Sequence, residues 1–161
     1  SSTVPKARSL SIFAARIGDW EREFAAERLV FARRVESNGL HLARHRLADL
    51  FLDTVPFGAH STSCDALWAG LPVLTCMGEG FAGRVAASLL ATLGVPELIT
   101  ASLADYRAQA LALSGGRERL AAVRSKIVQA RETSPLFDTA RFTRDIEALY
   151  LAATGRAKVR D

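Results

Sequence analysis

The chain has 161 residues, 49% of them hydrophobic and 24% charged, with a formal net charge of +4. That length and balance describe one globular domain with enough chain for a real core. No signal-peptide pattern or membrane-length apolar run is visible, and arginines alternate with acids instead of forming a block, so neither a membrane nor a nucleic acid is an expected partner. Cys64 and Cys76 lack metal-ligand spacing and the three histidines supply no cluster, so both thiols are read as reduced and buried in a cytoplasmic, metal-independent protein.

From the amino terminus, residues 1–18 carry no well-defined element. Residues 1–8 are polar and read as a frayed end. Leu10, Ser11, Ile12 and Phe13 alternate like a strand, while residues 12–17 fit a helical turn equally well. Residues 19–26 read as a helix, capped by Asp19, with Trp20 and Phe24 on one face. Residues 28–32 read as a short strand and 33–39 as a loop. A helix over 40–48 follows, with Leu40, Ala43 and Leu47 at core spacing and His41 and Arg44 one turn apart on one face.

The informative stretch runs from Asp49 to Gly70 and reads as strand, loop, helix. Leu50 to Leu52 is an apolar run of strand length. Pro56 and Gly58 break it into a loop. Ser61, Thr62 and Ser63 are good helix starters, and Asp65 stands three residues after Thr62, the spacing of a capping box with Asp in the Glu place. Gly70, Leu71 and Pro72 stop the helix. A helix opening at the carboxyl end of a parallel strand points free N–H groups and a positive dipole end into the crevice, a natural seat for phosphate. Hydroxyls of Ser61, Thr62 and Ser63 add donors, His60 can donate to a phosphate oxygen, and Asp65 can accept from a ribose. Equally, Thr62 and Asp65 can serve only as a cap and His60 as a loop residue; spacing alone does not separate the two.

Residues 73–76 read as the next strand. Met77 to Gly83 is a second Gly-rich loop whose N–H groups could also approach a ligand. It leads into a helix over 84–93, with Arg84 inside that helix in a structural role. Gly94 and Pro96 end it, and residues 97–100 form a short last strand. Ser102 caps a helix through Leu113, with Asp105 in its first turn. A helix over 117–131 turns Leu120, Val123, Ile127 and Ala130 inward. Asp138 caps a final helix in which Phe142, Ile146, Leu149 and Tyr150 follow helical spacing. Strands alternating with helices give an α/β fold, a Rossmann-like parallel sheet flanked by helices, with further helices at the carboxyl end and a ligand site beyond the carboxyl ends of the strands. The domain spans residues 19–153, with 154–161 a charged tail.

Several separated motifs occur in order: Asp49-Leu50-Phe51-Leu52-Asp53-Thr54, His60-Ser61-Thr62, Asp65-Ala66-Leu67-Trp68-Ala69-Gly70-Leu71-Pro72-Val73-Leu74-Thr75, Gly78-Glu79, Arg84-Val85-Ala86-Ala87-Ser88, and Ser134-Pro135-Leu136-Phe137. Over residues 28–153 this wording resembles the O-GlcNAc transferase, or SPINDLY-like, family. The resemblance implies the carboxyl-terminal, donor-nucleotide half of a two-lobed GT-B glycosyltransferase. It implies His41 and Arg44 against the nucleotide base, His60, Ser61 and Thr62 at the diphosphate, and Asp65 at the ribose. The expected donor is a UDP-sugar, UDP-GlcNAc first, with sugar passing to Ser or Thr hydroxyls of a protein acceptor; the SPINDLY branch uses a GDP-sugar instead. The chain departs from the family where Val35-Glu36-Ser37-Asn38-Gly39 replaces a Pro-rich, Lys-bearing lead-in, and where Met77 and Gly80 flank the Gly-Glu pair. The family's phosphate-binding lysine has no equivalent upstream, where only Lys6 occurs. An amino-terminal catalytic lobe is not recognised, so the expected role is donor binding without catalysis by this chain alone. The alternative is a non-catalytic scaffold or degenerate remnant that docks a partner lobe or forms a homo-oligomer.

Overall fold

A computed structural model describes residues 32–155. The chain divides into two units, Ser1–Val35 and Glu36–Asp161, and every described element lies in the second. The strand or turn read at residues 10–17, the helix at 19–26, the strand at 28–32 except for Ala32, and most of the charged tail fall outside the described residues.

The elements run α1 (Asn38–Arg44), a 3₁₀ turn (His45–Leu47), β1 (Phe51–Leu52), α2 (Ser61–Trp68), β2 (Val73–Cys76), a 3₁₀ turn (Phe81–Gly83), α3 (Val85–Leu93), a 3₁₀ turn (Pro96–Leu98), β3 (Ile99–Thr100), α4 (Leu103–Gly115), α5 (Arg117–Thr133) and α6 (Thr139–Ala153). The three strands form a parallel sheet in the order β1-β2-β3. Phe51 lies opposite Val73 and Leu52 opposite Leu74, while Thr75 pairs with Ile99 and Cys76 with Thr100. This is the α/β architecture expected from alternating strands and helices.

Burial explains why β2 shows no alternation. Val73, Leu74 and Thr75 are all buried, as a central parallel strand covered on both faces must be. Helices α2, α3 and α4 pack against it. They deliver Ala66 and Leu67, Leu90 and Leu93, and Leu113 to one apolar core, to which α5 adds Val123 and Ile127. The inward residues read on α5 are thus the observed ones. Ser102 caps α4, its hydroxyl accepting from the Asp105 N–H at 3.1 Å, and Asp138 caps α6 by accepting from the Arg141 N–H at 2.9 Å. Helix α2 closes with a pair of reversed bonds, Leu71 N–H to Ala66 O at 2.8 Å and Gly70 N–H to Leu67 O at 3.0 Å. Gly70 takes the left-handed φ of 81° that this ending needs.

Several expectations are corrected. Helix α1 starts at Asn38 and tightens into a 3₁₀ turn after Arg44, so the periodicity that made Leu40, Ala43 and Leu47 a core stripe is broken. All three are exposed and His45 is buried instead. The segment replacing the family's lead-in is used as a cap: Ser37 Oγ accepts from the Leu40 N–H at 3.4 Å. The last strand is confined to Ile99–Thr100, because Pro96 opens a 3₁₀ turn that takes Glu97 and Leu98. Arg84 stands exposed at the junction of a 3₁₀ turn and α3, not inside the helix. Both thiols are free but half-buried, not buried. Among the described residues, no helix is long and apolar enough to cross a membrane.

Leu74 is fully enclosed in the central strand. Leu74→Ala is expected to lower stability by about 2–5 kcal/mol through lost transfer energy and the cavity left behind, measured as a shift of the urea unfolding midpoint.

Candidate functional site

The loop after β1 and the first turn of α2 lie at the carboxyl end of the sheet. Helix α2 begins at Ser61, and His60 is its N-cap residue, with no side-chain capping bond. The capping box read at Thr62 and Asp65 is therefore not formed. Both residues lie inside the helix, Thr62 two residues past the N-cap position that the box requires. Ser61 and Thr62 are exposed in the first turn. Ser63 is buried, and its Oγ has no hydrogen-bond partner.

Freed from capping, Asp65 reaches across to α1. His41 Nε2 lies 3.2 Å from Asp65 Oδ2, with side-chain exposures of 25% and 39%. Arg44 Nη2 lies 2.9 Å from His41 Nδ1. A guanidinium only donates, so Nδ1 accepts and Nε2 carries the proton given to Asp65. His45 Nδ1 bonds the His41 carbonyl at 2.9 Å, and its ring meets that of His41 edge-on with centroids 4.9 Å apart. Three of the residues singled out in the sequence, His41, Arg44 and Asp65, thus form one half-exposed polar chain across two helices. At 39% exposure the Asp65 side chain keeps part of its surface toward solvent.

His60 belongs to a different group. Its ring stacks on Phe57, with centroids 5.2 Å apart and planes 16° apart. It meets Phe81 edge-on at 5.9 Å, and its Nε2 donates to the Ala82 carbonyl at 3.3 Å. The same carbonyl accepts from the Gly58 N–H at 3.1 Å, which joins the loop after β1 to the Gly-rich loop. In the second loop several backbone N–H groups bond within the loop itself. Gly78 N–H bonds Gly83 O at 2.9 Å, Gly83 N–H bonds Gly80 O at 3.1 Å and Arg84 N–H bonds Phe81 O at 3.0 Å. Gly83 is held so tightly that a Cβ there would lie 3.1 Å from both Gly78 Cα and Pro56 O. The glycines here are needed for close packing of two loops.

Sequence reasoning missed Asp53. It is 6% exposed at the end of β1. Its Oδ1 accepts from the Thr54 N–H at 2.9 Å and the Ala59 N–H at 2.7 Å. Its Oδ2 accepts from the Thr75 hydroxyl at 2.7 Å. The Tyr106 hydroxyl donates to the Asp53 carbonyl at 2.9 Å. Burial, then the charges of Asp53 and Cys76, push the Tyr106 phenol up to about 12, so it remains a donor at neutral pH. The signal available in the sequence was an acid ending an apolar strand run, a place where a carboxylate must find partners or water. Among the described residues no group of three or more His, Cys, Asp or Glu side chains is arranged to hold a metal ion.

A three-stranded parallel sheet flanked by helices, with polar side chains gathered beyond its carboxyl ends, sets the class as an α/β domain, the architecture of a lobe of GT-B glycosyltransferases. Residues 14–146 match glycosyl transferase family 41, and the chain belongs to that family. It is 40% identical over 129 residues to a UDP-N-acetylglucosamine–peptide N-acetylglucosaminyltransferase of Caenorhabditis elegans, a match covering 80% of this chain and 11% of the relative. It is 34% identical over 110 residues to the tomato (Solanum lycopersicum) protein named "Probable UDP-N-acetylglucosamine–peptide N-acetylglucosaminyltransferase SPINDLY", covering 68% of this chain and 12% of that one. The fold is similar to that of a solved mutant of the Thermobaculum terrenum O-GlcNAc transferase, with a TM-score of 0.76 and 30% identity over 87% of this chain and 27% of that chain. The chain therefore spans roughly a tenth of the length of these curated relatives.

Because Asp65 pairs with His41 and does not cap α2, Asp65→Ala is expected to cost less than about 1 kcal/mol of stability, read from urea unfolding. Burial and then the Asp65 charge push the Cys64 thiol up. A raised thiol holds less thiolate at a given pH, so alkylation of Cys64 by iodoacetamide should be slower at pH 8 than that of a free cysteine. Its rate profile should rise only at higher pH, as followed by mass spectrometry.

Proposed function

We propose that this chain is the donor-binding part of an O-GlcNAc-transferase-like protein glycosyltransferase and that it takes a UDP-sugar, UDP-GlcNAc first. The complete transferase passes the sugar to Ser or Thr hydroxyls of a protein acceptor. The observation that carries this reading is the convergence of His41, Arg44 and Asp65 beside the first turn of α2, although α1 and α2 are separated in sequence by β1 and its loop. In this reading His41 and Arg44 lie against the base and Asp65 accepts from ribose hydroxyls. The first-turn N–H groups of α2 and the Ser61 and Thr62 hydroxyls receive the diphosphate, and His60 joins them by turning its Nε2–H from the Ala82 carbonyl. Negative charge grows on the diphosphate as the glycosidic bond breaks, and donors already aimed at it stabilise that charge with no metal required. Among the described residues no base is positioned for an acceptor hydroxyl, and in this reading transfer draws on groups from the rest of the two-lobed enzyme.

A second reading, a non-catalytic module that docks a partner lobe or a second copy, is favoured by one feature of α6. Phe142, Leu149 and Tyr150 are 65%, 65% and 67% exposed, and their spacing puts them on one side of the helix.

Titration of the chain with UDP, with GDP as control, separates the two. Calorimetry is expected to register UDP, and amide shifts to cluster at His41 and at residues 60–65. His41→Ala and Asp65→Ala should each weaken UDP by about tenfold, the loss of one hydrogen bond to a charged group. If neither nucleotide binds at millimolar concentration, the donor reading is wrong and the scaffold reading replaces it.

A further inference from the structure

We infer that Asp53 is a positioning residue for the diphosphate subsite: its buried carboxylate sets the loop that delivers His60 and the first turn of α2. This rests on the donor-binding reading above and extends it to a residue that never touches the nucleotide. The geometry has three parts. The strand end is fixed, because the Asp53 N–H bonds Leu74 O at 3.0 Å and the Tyr106 hydroxyl holds the Asp53 carbonyl. The carboxylate is fixed against the neighbouring strand by the Thr75 hydroxyl at 2.7 Å. From that anchored position Oδ1 takes the Ala59 N–H at 2.7 Å, six residues further along the chain and immediately before His60.

The loop between is folded down onto the carboxylate. A Cβ on Gly58 would stand 3.0 Å from Asp53 Oδ2 and 3.2 Å from the Ala82 carbonyl. Thr54 Oγ1 donates to Phe57 O at 2.6 Å and closes the loop on itself. Hydrogen bonds to an ionised acceptor are about twice as strong as neutral ones, so the loop is ordered before any ligand arrives. A site that must aim several N–H and O–H donors at one anion gains affinity when that ordering cost is already met. The base and ribose contacts come from α1 and the second turn of α2, which do not depend on this loop for their mutual contact. The effect of loosening Asp53 should therefore fall on phosphate and spare the nucleoside.

The test compares UDP with uridine on the wild-type chain, Asp53→Asn, Thr75→Val and Thr75→Ser, by amide chemical-shift titration. Asparagine keeps the size of Asp53 but removes its charge: Oδ1 can still accept from the Ala59 N–H, while the amide NH2 can only donate to the Thr75 hydroxyl and leaves that hydroxyl's own proton without its acceptor. Valine removes the Thr75 donor at constant shape, and serine keeps it. UDP affinity is expected to fall about tenfold in Asp53→Asn and Thr75→Val, with uridine affinity within about twofold of wild type and Thr75→Ser close to wild type throughout. Amide exchange at Ala59 should speed up in the two weakened variants. If Thr75→Val unfolds, if UDP and uridine weaken together, or if neither changes, the network serves the fold alone and the inference is overturned. If the wild-type chain binds uridine and UDP equally, it is the diphosphate subsite itself that fails; if it binds neither, the donor reading fails as a whole.

Discussion

Three buried polar side chains cross the carboxyl ends of the three strands: Asp53 after β1, Thr75 in β2 and Thr100 in β3. The Thr75 hydroxyl donates to Asp53 Oδ2 at 2.7 Å, and the Thr100 hydroxyl donates to the Thr75 carbonyl at 3.0 Å. Strands of two to four residues offer few ladder bonds. This row of side-chain bonds adds to the sheet at the end where the loops leave it. Burying these groups is tolerable only because each is paired. Once they are paired, the loops have little freedom, since Ala59 bonds Asp53 directly and its neighbour Gly58 bonds the Ala82 carbonyl.

The polar chain of Arg44, His41 and Asp65 obeys different physics. Its members are half-exposed, so their mutual attraction is screened and contributes little to stability. The same exposure makes them exchangeable, and a ligand can replace water or a neighbour without opening the core. The domain therefore separates an internally satisfied polar set at the strand ends from a half-exposed set between α1 and α2. Helix α2 belongs to both. Its first turn follows the anchored loop, Asp65 faces α1, and Ala66 and Leu67 are completely buried in the core.

Much of the fold was legible because its signals are local. Val73 to Cys76 reads as a strand from an apolar, β-prone run bounded by Pro72 and Gly78, and β2 occupies those residues. Ser102 and Asp138 precede helices and cap them. The capping box at Thr62 and Asp65 failed because a competing partner, His41, lies on another element and the helix begins two residues early. Leu47 failed because a helical period was carried through a point where the backbone tightens to 3₁₀ geometry. In the Gly-rich loop the Gly78, Gly83 and Arg84 N–H groups bond within the loop itself, which no spacing of glycines reveals.

By itself the sequence determined the alternation of strands and helices, the core residues of β2 and α5, the family, and the identity of the residues gathered around α2. These follow from periodicity, caps and motif wording, which are properties of neighbouring residues. Only the tertiary structure decided that Asp65 meets His41 rather than capping its own helix, and that Asp53 is the buried acceptor for Thr54, Ala59 and Thr75. An acidic side chain takes whichever donors the packed chain brings within about 3 Å. Packing, unlike capping, brings together residues that stand far apart in the chain.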